Sequence, residues 1–242
     1  MAERRTGDTG IGAEKELSLD SKLVKKAYDK IYRGSSYIYK YANFDKSTIP
    51  NELKLRLTYS AIDEIEGLAL PLSDDYFFET GQTYYYKIDT FDEKMKEIFG
   101  ENITYEKSTF YAKENLTGGL PELVYNMDED RFETNFEFGG AVSGAVEQKL
   151  LKATTLGNNL YLYVSPIFFK TNYEEYNDEI YDGYINYNYE TDTFSNLILK
   201  EINPYTDDLE KINYDNYSLN IYKYIFEKQG EEYYFVGLEK IK

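Results

Sequence analysis

An α+β fold, with N-terminal helices packed on a mainly antiparallel sheet, is what three features of the sequence predict. Helical periodicity is confined to the first hundred residues, and from Asn102 onward it gives way to short alternating stretches separated by turn residues. The chain closes on LNIYKYIFEKQGEEYYFVGLEK, two strand-like runs reversing at Lys228-Gln229-Gly230-Glu231. Helices first and strands afterwards is the order of a segregated α+β domain. The organisation expected is a disordered leader over 1–16 and a single domain over 17–242, with a helical part at 19–100 and a sheet part at 102–241.

Residues 1–16 mix Gly, Thr and charge without periodicity and predict no element. A first helix follows, with Asp20 as its cap and Leu23, Val24, Ala27, Tyr28 and Ile31 on one face until Gly34. Ser47 or Thr48, with Pro50, opens a second, in which Leu53, Leu57, Ala61 and Ile65 share a face. Gly81 to Ile88 reads as a strand or an extended lead. Thr90-Phe91-Asp92-Glu93 has capping-box spacing, and Phe91, Met95, Ile98 and Phe99 line a third helix ended by Gly100. Strands are then expected near 103–112, 123–127, 132–138, 149–156, 160–169, 180–189 and 194–201. Gly157-Asn158-Asn159 turns one hairpin. In the closing pair Tyr222, Tyr224 and Phe226 share a face, and strict alternation sets Tyr234, Val236 and Leu238 against Tyr233, Phe235 and Gly237.

Composition excludes several chemistries. The chain has no Cys, His or Trp. Disulfides, thiolate catalysis, imidazole bases and the soft or imidazole ligands of transition metals are therefore absent, and no cofactor is expected. A formal net charge of -17 repels nucleic-acid phosphates, so no nucleic-acid partner is expected. The longest apolar runs fall far short of the roughly 20 residues that span a bilayer.

Motifs narrow the field further. Gly139-Gly140-Ala141-Val142-Ser143-Gly144 has the glycine spacing of a phosphate loop, but Ala145 and Val146 stand where Lys and Ser/Thr are required. The acidic run Glu174–Gly183 lacks a ligand at Ile180 and a closing Glu at Tyr189, and reads as a solvated loop rather than a calcium site. Asp128-Glu129-Asp130 reads as a hairpin turn. The many tyrosines serve strands and half-buried rims. Among them Tyr161, Tyr163 and Tyr184 are the candidate ligand-binding residues, as aromatic platforms on a sheet face.

The segments LDSKLVKKAYDKIY, PNELKLRLTYSAI, MKEIFGENITYEKSTF, KLLKATTLGNNLYLYV and YKYIFEKQGEEYYFVGLEKI together resemble a set of uncharacterised domains in lipoproteins and surface proteins of gut Firmicutes. The resemblance implies a curved, cystatin-like cone similar to that of the nuclear transport factor two superfamily, and it carries over no catalytic residues. It implies a non-enzymatic extracellular domain of a Gram-positive surface lipoprotein, binding or spacing at the cell envelope. A surface glycan or protein is the expected partner, with any membrane attachment through an N-terminal anchor outside this sequence. The alternatives are a cytoplasmic acidic decoy or nucleic-acid mimic occupying a basic-groove enzyme, and a carboxylate-based hydrolase.

Overall fold

The two alternating runs at the C-terminus form β11 (Tyr222–Gln229) and β12 (Glu232–Lys240). Gly230 turns the chain at φ 64°, a left-handed conformation that glycine adopts without steric cost. Tyr222, Tyr224 and Phe226 are buried, while Lys223, Ile225 and Glu227 are half-exposed. β12 departs from strict alternation. Phe226 pairs with Phe235 but Ile225 with Gly237, which leaves Val236 as the extra residue of a bulge. Phe235 and Leu238, expected on opposite faces, are therefore both fully buried in one core.

The computed structural model describes residues 13–32, 38–63, 70–71, 83–111, 122–135, 144–172, 180–188, 190–191, 193–202 and 218–242. Among these, β1 (Lys15–Leu17), β7 (Gly144–Leu156) and β8 (Asn159–Asn172) join β11 and β12 in an antiparallel sheet of order β1-β7-β8-β11-β12. β11 pairs with residues 159–164 of β8. Further along the same edge, β9 (Ile180–Asn188) pairs with residues 168–172 and carries β10 (Thr193–Ile202). A second sheet has the order β2-β3-β6-β5-β4. Its strands are β2 (Leu70–Pro71), β3 (Thr83–Lys87), β4 (Phe110–Tyr111), β5 (Glu122–Asn126) and β6 (Arg131–Asn135).

Three helices, α1 (Lys22–Tyr32), α2 (Asn51–Asp63) and α3 (Ile88–Phe99), join the two sheets through one hydrophobic core. α3 touches both. Its Phe91 packs at a tilt against Phe132 of the smaller sheet at 4.4 Å between ring centroids, and its Phe99 meets Phe235 of the larger at 6.2 Å. α1 lies on β12, where Lys30 Nζ donates to the Tyr233 carbonyl at 2.7 Å.

This overturns the expected α+β cone. Among the described residues, strands take nearly twice as many positions as helices, and the three short helices found there do not pack on a single curved sheet. The physical reason is that β2 and β3 lie inside the region read as helical and pair with each other, and β3 pairs with β6, so the strands divide into two sheets. The expected leader boundary after residue 16 falls inside β1, whose residues pair with Ala153–Thr155 of β7.

Local details also differ. Ser21, not Asp20, caps α1, accepting a hydrogen bond from the Val24 amide at 3.3 Å. α3 begins at Ile88 with no side-chain cap, because β3 runs directly into it and pre-empts a start at Thr90. Gly100 ends α3 at φ 98° as expected. Asp128 and Glu129 do turn a hairpin, held by Asn126 Oδ1 accepting both their amides. The glycine stretch 139–143 and most of the acidic run lie outside the described residues, but Gly144 opens β7, and Asp182-Gly183 sits within β9 rather than closing a loop.

Two polar devices secure the packing. Tyr39 donates to Tyr224 Oη at 2.8 Å and Tyr224 to Gln148 Oε1 at 3.1 Å, a buried chain linking the residue 39–41 turn, β11 and β7. The outer edge of β12 is bridged by Phe44, whose amide and carbonyl both bond Leu238. A Cβ at Gly237 would stand 2.9 Å from the Phe44 carbonyl oxygen, so this close approach requires glycine.

Glu52 gives one pH-dependent element. Burial pushes its carboxyl up, but the hydrogen bond from Tyr41 at 2.5 Å and the pairing with the buried Arg56 guanidinium outweigh this and hold it below the usual carboxylate value. A lowered folded-state pKa means stability that is present above the unfolded value and lost as pH falls through the folded one. With the Glu52 side chain 40% exposed and the pair partly screened by solvent, Glu52→Gln is therefore expected to cost roughly 1 kcal/mol in urea unfolding at neutral pH. The gap from wild type should close as pH drops below about 4; a gap that persists there would contradict the ionic role.

Candidate functional site

Period-2 geometry on β7, β8 and β11 builds a mixed aromatic and charged face on the side of the larger sheet away from the helices. Leu160, Leu162 and Val164 are fully buried, so Tyr161 and Tyr163 project from the other side of β8. Thr154 and Lys152 of β7 stand opposite Tyr161 and Tyr163, and on the other flank Ile225 and Lys223 of β11 do the same. Residues directly opposite in an antiparallel pair share a face. Six side chains thereby meet on one patch.

The two tyrosines are held by cations. Lys223 Nζ lies 5.4 Å from the Tyr161 ring centroid, and Lys152 Nζ 5.6 Å from that of Tyr163. Asn159 Nδ2 donates to Tyr161 Oη at 3.2 Å. Lys223 also pairs with Glu239 at 2.5 Å. Glu14, just ahead of β1, reaches across the edge, and its Oε1 accepts from Thr154 Oγ1 and, at 3.2 Å, from Tyr163 Oη.

Glu14, Tyr163 and Lys223 are each held in their ordinary charge state. Burial and the Glu14 charge push the Tyr163 phenol up, with Thr154 and Lys223 opposing. Burial would lower Lys223, but its hydrogen bond and charge pairing with Glu239 raise it on balance. The hydrogen bond from Thr154, aided by Tyr163 and the two lysines, holds the Glu14 carboxyl low against its slight burial. Such a surface has the chemistry to stack on a ring and to hydrogen-bond to it. Glu14 is shifted down and Tyr163 and Lys223 up, in each case away from neutrality.

Tyr184, the third candidate, is placed elsewhere. It pairs with Phe168 of β8, a core residue, and its ring lies 5.0 Å from Phe194 beside Tyr187. Its hydroxyl donates to Asp182 at 3.4 Å. Tyr161 and Tyr163 are thus neighbours on the outer face, and Tyr184 is packed on the opposite one. Sequence reasoning missed Lys152, Thr154, Lys223 and Glu14. The alternation of β7 and β11 marks their faces, but only the pairing of β11 with β8 brings them together, and Glu14 lay in a stretch without any pattern.

A second polar constellation joins α3, the segment after it and the β5–β6 turn. Lys107 Nζ donates to Asp130 at 2.7 Å, Tyr125 to the same Asp130 oxygen at 2.5 Å, and Tyr105 to Asp92 at 2.8 Å. Lys107 and Tyr125 hold the Asp130 carboxyl low, while burial and the bond to Asp92 push the Tyr105 phenol up. These groups staple a loop rather than activate one another. Among the described residues, each carboxyl with a shifted pKa (Glu14, Asp45, Glu52, Asp130, Glu133 and Glu232) is shifted downward. A general acid working at neutral pH needs the opposite shift. No group of three or more acidic side chains suited to a metal ion occurs among the described residues, and no helix there is long and apolar enough to cross a membrane. Comparison with known protein families, curated proteins and solved structures finds no match to this chain.

Proposed function

We propose that this chain is a non-enzymatic binding domain of a Gram-positive cell-surface protein, and that the Tyr161–Tyr163 face of the larger sheet engages glycan strands of the cell wall. The observation that carries the reading is the pair of neighbouring, half-exposed tyrosine rings, each with a lysine ammonium on its face. Sugar rings present C–H faces that pack on aromatics and hydroxyls that bond to Lys, Asn and Thr, both of which this patch supplies. The rigidity of a sheet keeps the rings in place without a closing loop. The downward-shifted carboxyls favour binding over hydrolysis.

Co-sedimentation with purified Gram-positive cell walls tests this. The wild type is expected to pellet with the walls and the Tyr161→Ala/Tyr163→Ala double variant to remain largely in the supernatant. Equal pelleting of the two proteins, or no pelleting of either, would remove the face from the account.

A further inference from the structure

Glu14 makes, on the outer face, the contacts that a ligand carboxylate would make there. Its Oε1 accepts from the Thr154 and Tyr163 hydroxyls, and the charges of Lys152 and Lys223 stabilise it. Thr154 is only 1% exposed, so its hydroxyl is a fixed donor aimed at that oxygen. Two hydroxyls thus converge on one carboxylate, with the charges of two lysines, one of them shared with Glu239, stabilising it in a protein whose net charge is -17. Glu14 is itself exposed and precedes a strand of three residues at the end of the sheet, so among the described residues only that short strand and the contacts of the site hold it against displacement.

We propose that Thr154, Tyr163, Lys152 and Lys223 form a carboxylate-binding site whose resident occupant is Glu14, and that its external ligand is a carboxylate-bearing wall saccharide of the muramic acid type. This rests on the face being a glycan-binding surface, and adds to it the charge of the sugar and the competition from the N-terminal segment. A ligand carboxylate would take the two hydroxyl donors while its sugar ring lies on Tyr161. The overall negative charge does not prevent this for a small sugar. Fields from exposed charges are largely screened beyond about 8 Å at physiological ionic strength, whereas the charges of Lys152 and Lys223 still act on the Glu14 carboxylate.

Isothermal titration calorimetry with two disaccharides reads the proposal directly. One is N-acetylglucosaminyl-N-acetylmuramic acid, which carries a carboxylate; the other is chitobiose, which lacks it. Glu14→Ala, an exposed substitution outside the strand, is expected to bind the muramic acid disaccharide about tenfold tighter than wild type, because the competing carboxylate is gone. Chitobiose affinity should not change. Adding Thr154→Val to Glu14→Ala should abolish the gain, with a melting curve confirming that this variant is folded. No gain in Glu14→Ala, or an equal gain for chitobiose, overturns the proposal. If both sugars bind every protein alike and Tyr161→Ala weakens both, the carboxylate site fails while the glycan-binding face stands. If neither sugar binds, the site fails and the sedimentation result alone decides the face.

Discussion

A chain ending at Gly230 is expected to yield no soluble, cooperatively folded protein. The deletion removes β12 and with it Phe235, Val236 and Leu238, all buried. Each such side chain contributes roughly 1.5–3 kcal/mol through burial, so three of them represent a large part of a typical total stability of about 5–15 kcal/mol. The loss spreads beyond the strand. Phe99 of α3 and Phe44 both pack on Phe235, and α1 is tied to β12 through Lys26–Glu232 and the bond from Lys30 to the Tyr233 carbonyl. Without β12, the 222–229 strand would also become an exposed edge rich in Tyr, Ile and Phe, a template for aggregation. Expression followed by a thermal melt is the check. A soluble product melting near the full chain would show that the larger sheet does not depend on this hairpin.

The single substitution with the largest expected effect is Phe235→Ala, at about 3–5 kcal/mol. Phe235 is fully buried and meets the rings of Phe44, Phe99, Tyr224 and Phe226 at centroid distances of 5.5–6.2 Å. These neighbours come from α3, β11 and the segment before α2, which the larger sheet and its helices hold from several directions. The cavity is therefore poorly placed to collapse, which puts the cost toward the upper part of the range. Val236→Ala at the adjacent bulge removes less volume and should cost far less. Urea unfolding of both variants measures the difference, and equal losses would contradict the packing described.

How much of this was legible in the sequence depends on the distance over which each feature is encoded. The β7–β8 and β11–β12 hairpins follow from alternation on both sides of a turn residue, Gly157 in one and Gly230 in the other, because the partners are close in sequence. The three helices were placed by apolar spacing to within a few residues. The start of α3 was misread because Thr90 and Glu93 have capping-box spacing by coincidence, while the cue that matters is the strand arriving at Lys87. What periodicity cannot encode is which distant strands become neighbours. The pairing of β3 with β6, which creates the second sheet, spans about fifty residues and leaves no local mark.

The site followed the same logic. Tyr161 and Tyr163 are two residues apart on one strand, so their shared face was readable. Tyr184 looks equivalent by composition, yet its pairing with Phe168 turns it toward the core. Lys223 is sixty residues from Tyr163 in sequence and comes beside it only because β11 inserts against β8. The bulge at Val236 was equally hidden, since an unbroken apolar run gives no sign of where one extra residue will be accommodated.

Glycan binding by the outer face of the larger sheet can be read in an NMR titration of protein carrying carbon-13 in its tyrosine rings, using glycan fragments released from cell walls by a muramidase. Tyr161→Phe, Tyr163→Phe, Tyr184→Phe and Tyr85→Phe assign the resonances. Tyr85 is the control on the smaller sheet, its ring covered by the Arg131 guanidinium at 4.7 Å. Saturable shifts of the Tyr161 and Tyr163 ring signals are expected, while those of Tyr184 and Tyr85 stay in place. Shifts confined to Tyr184 or Tyr85, or no shifts at all, would contradict glycan binding by this face.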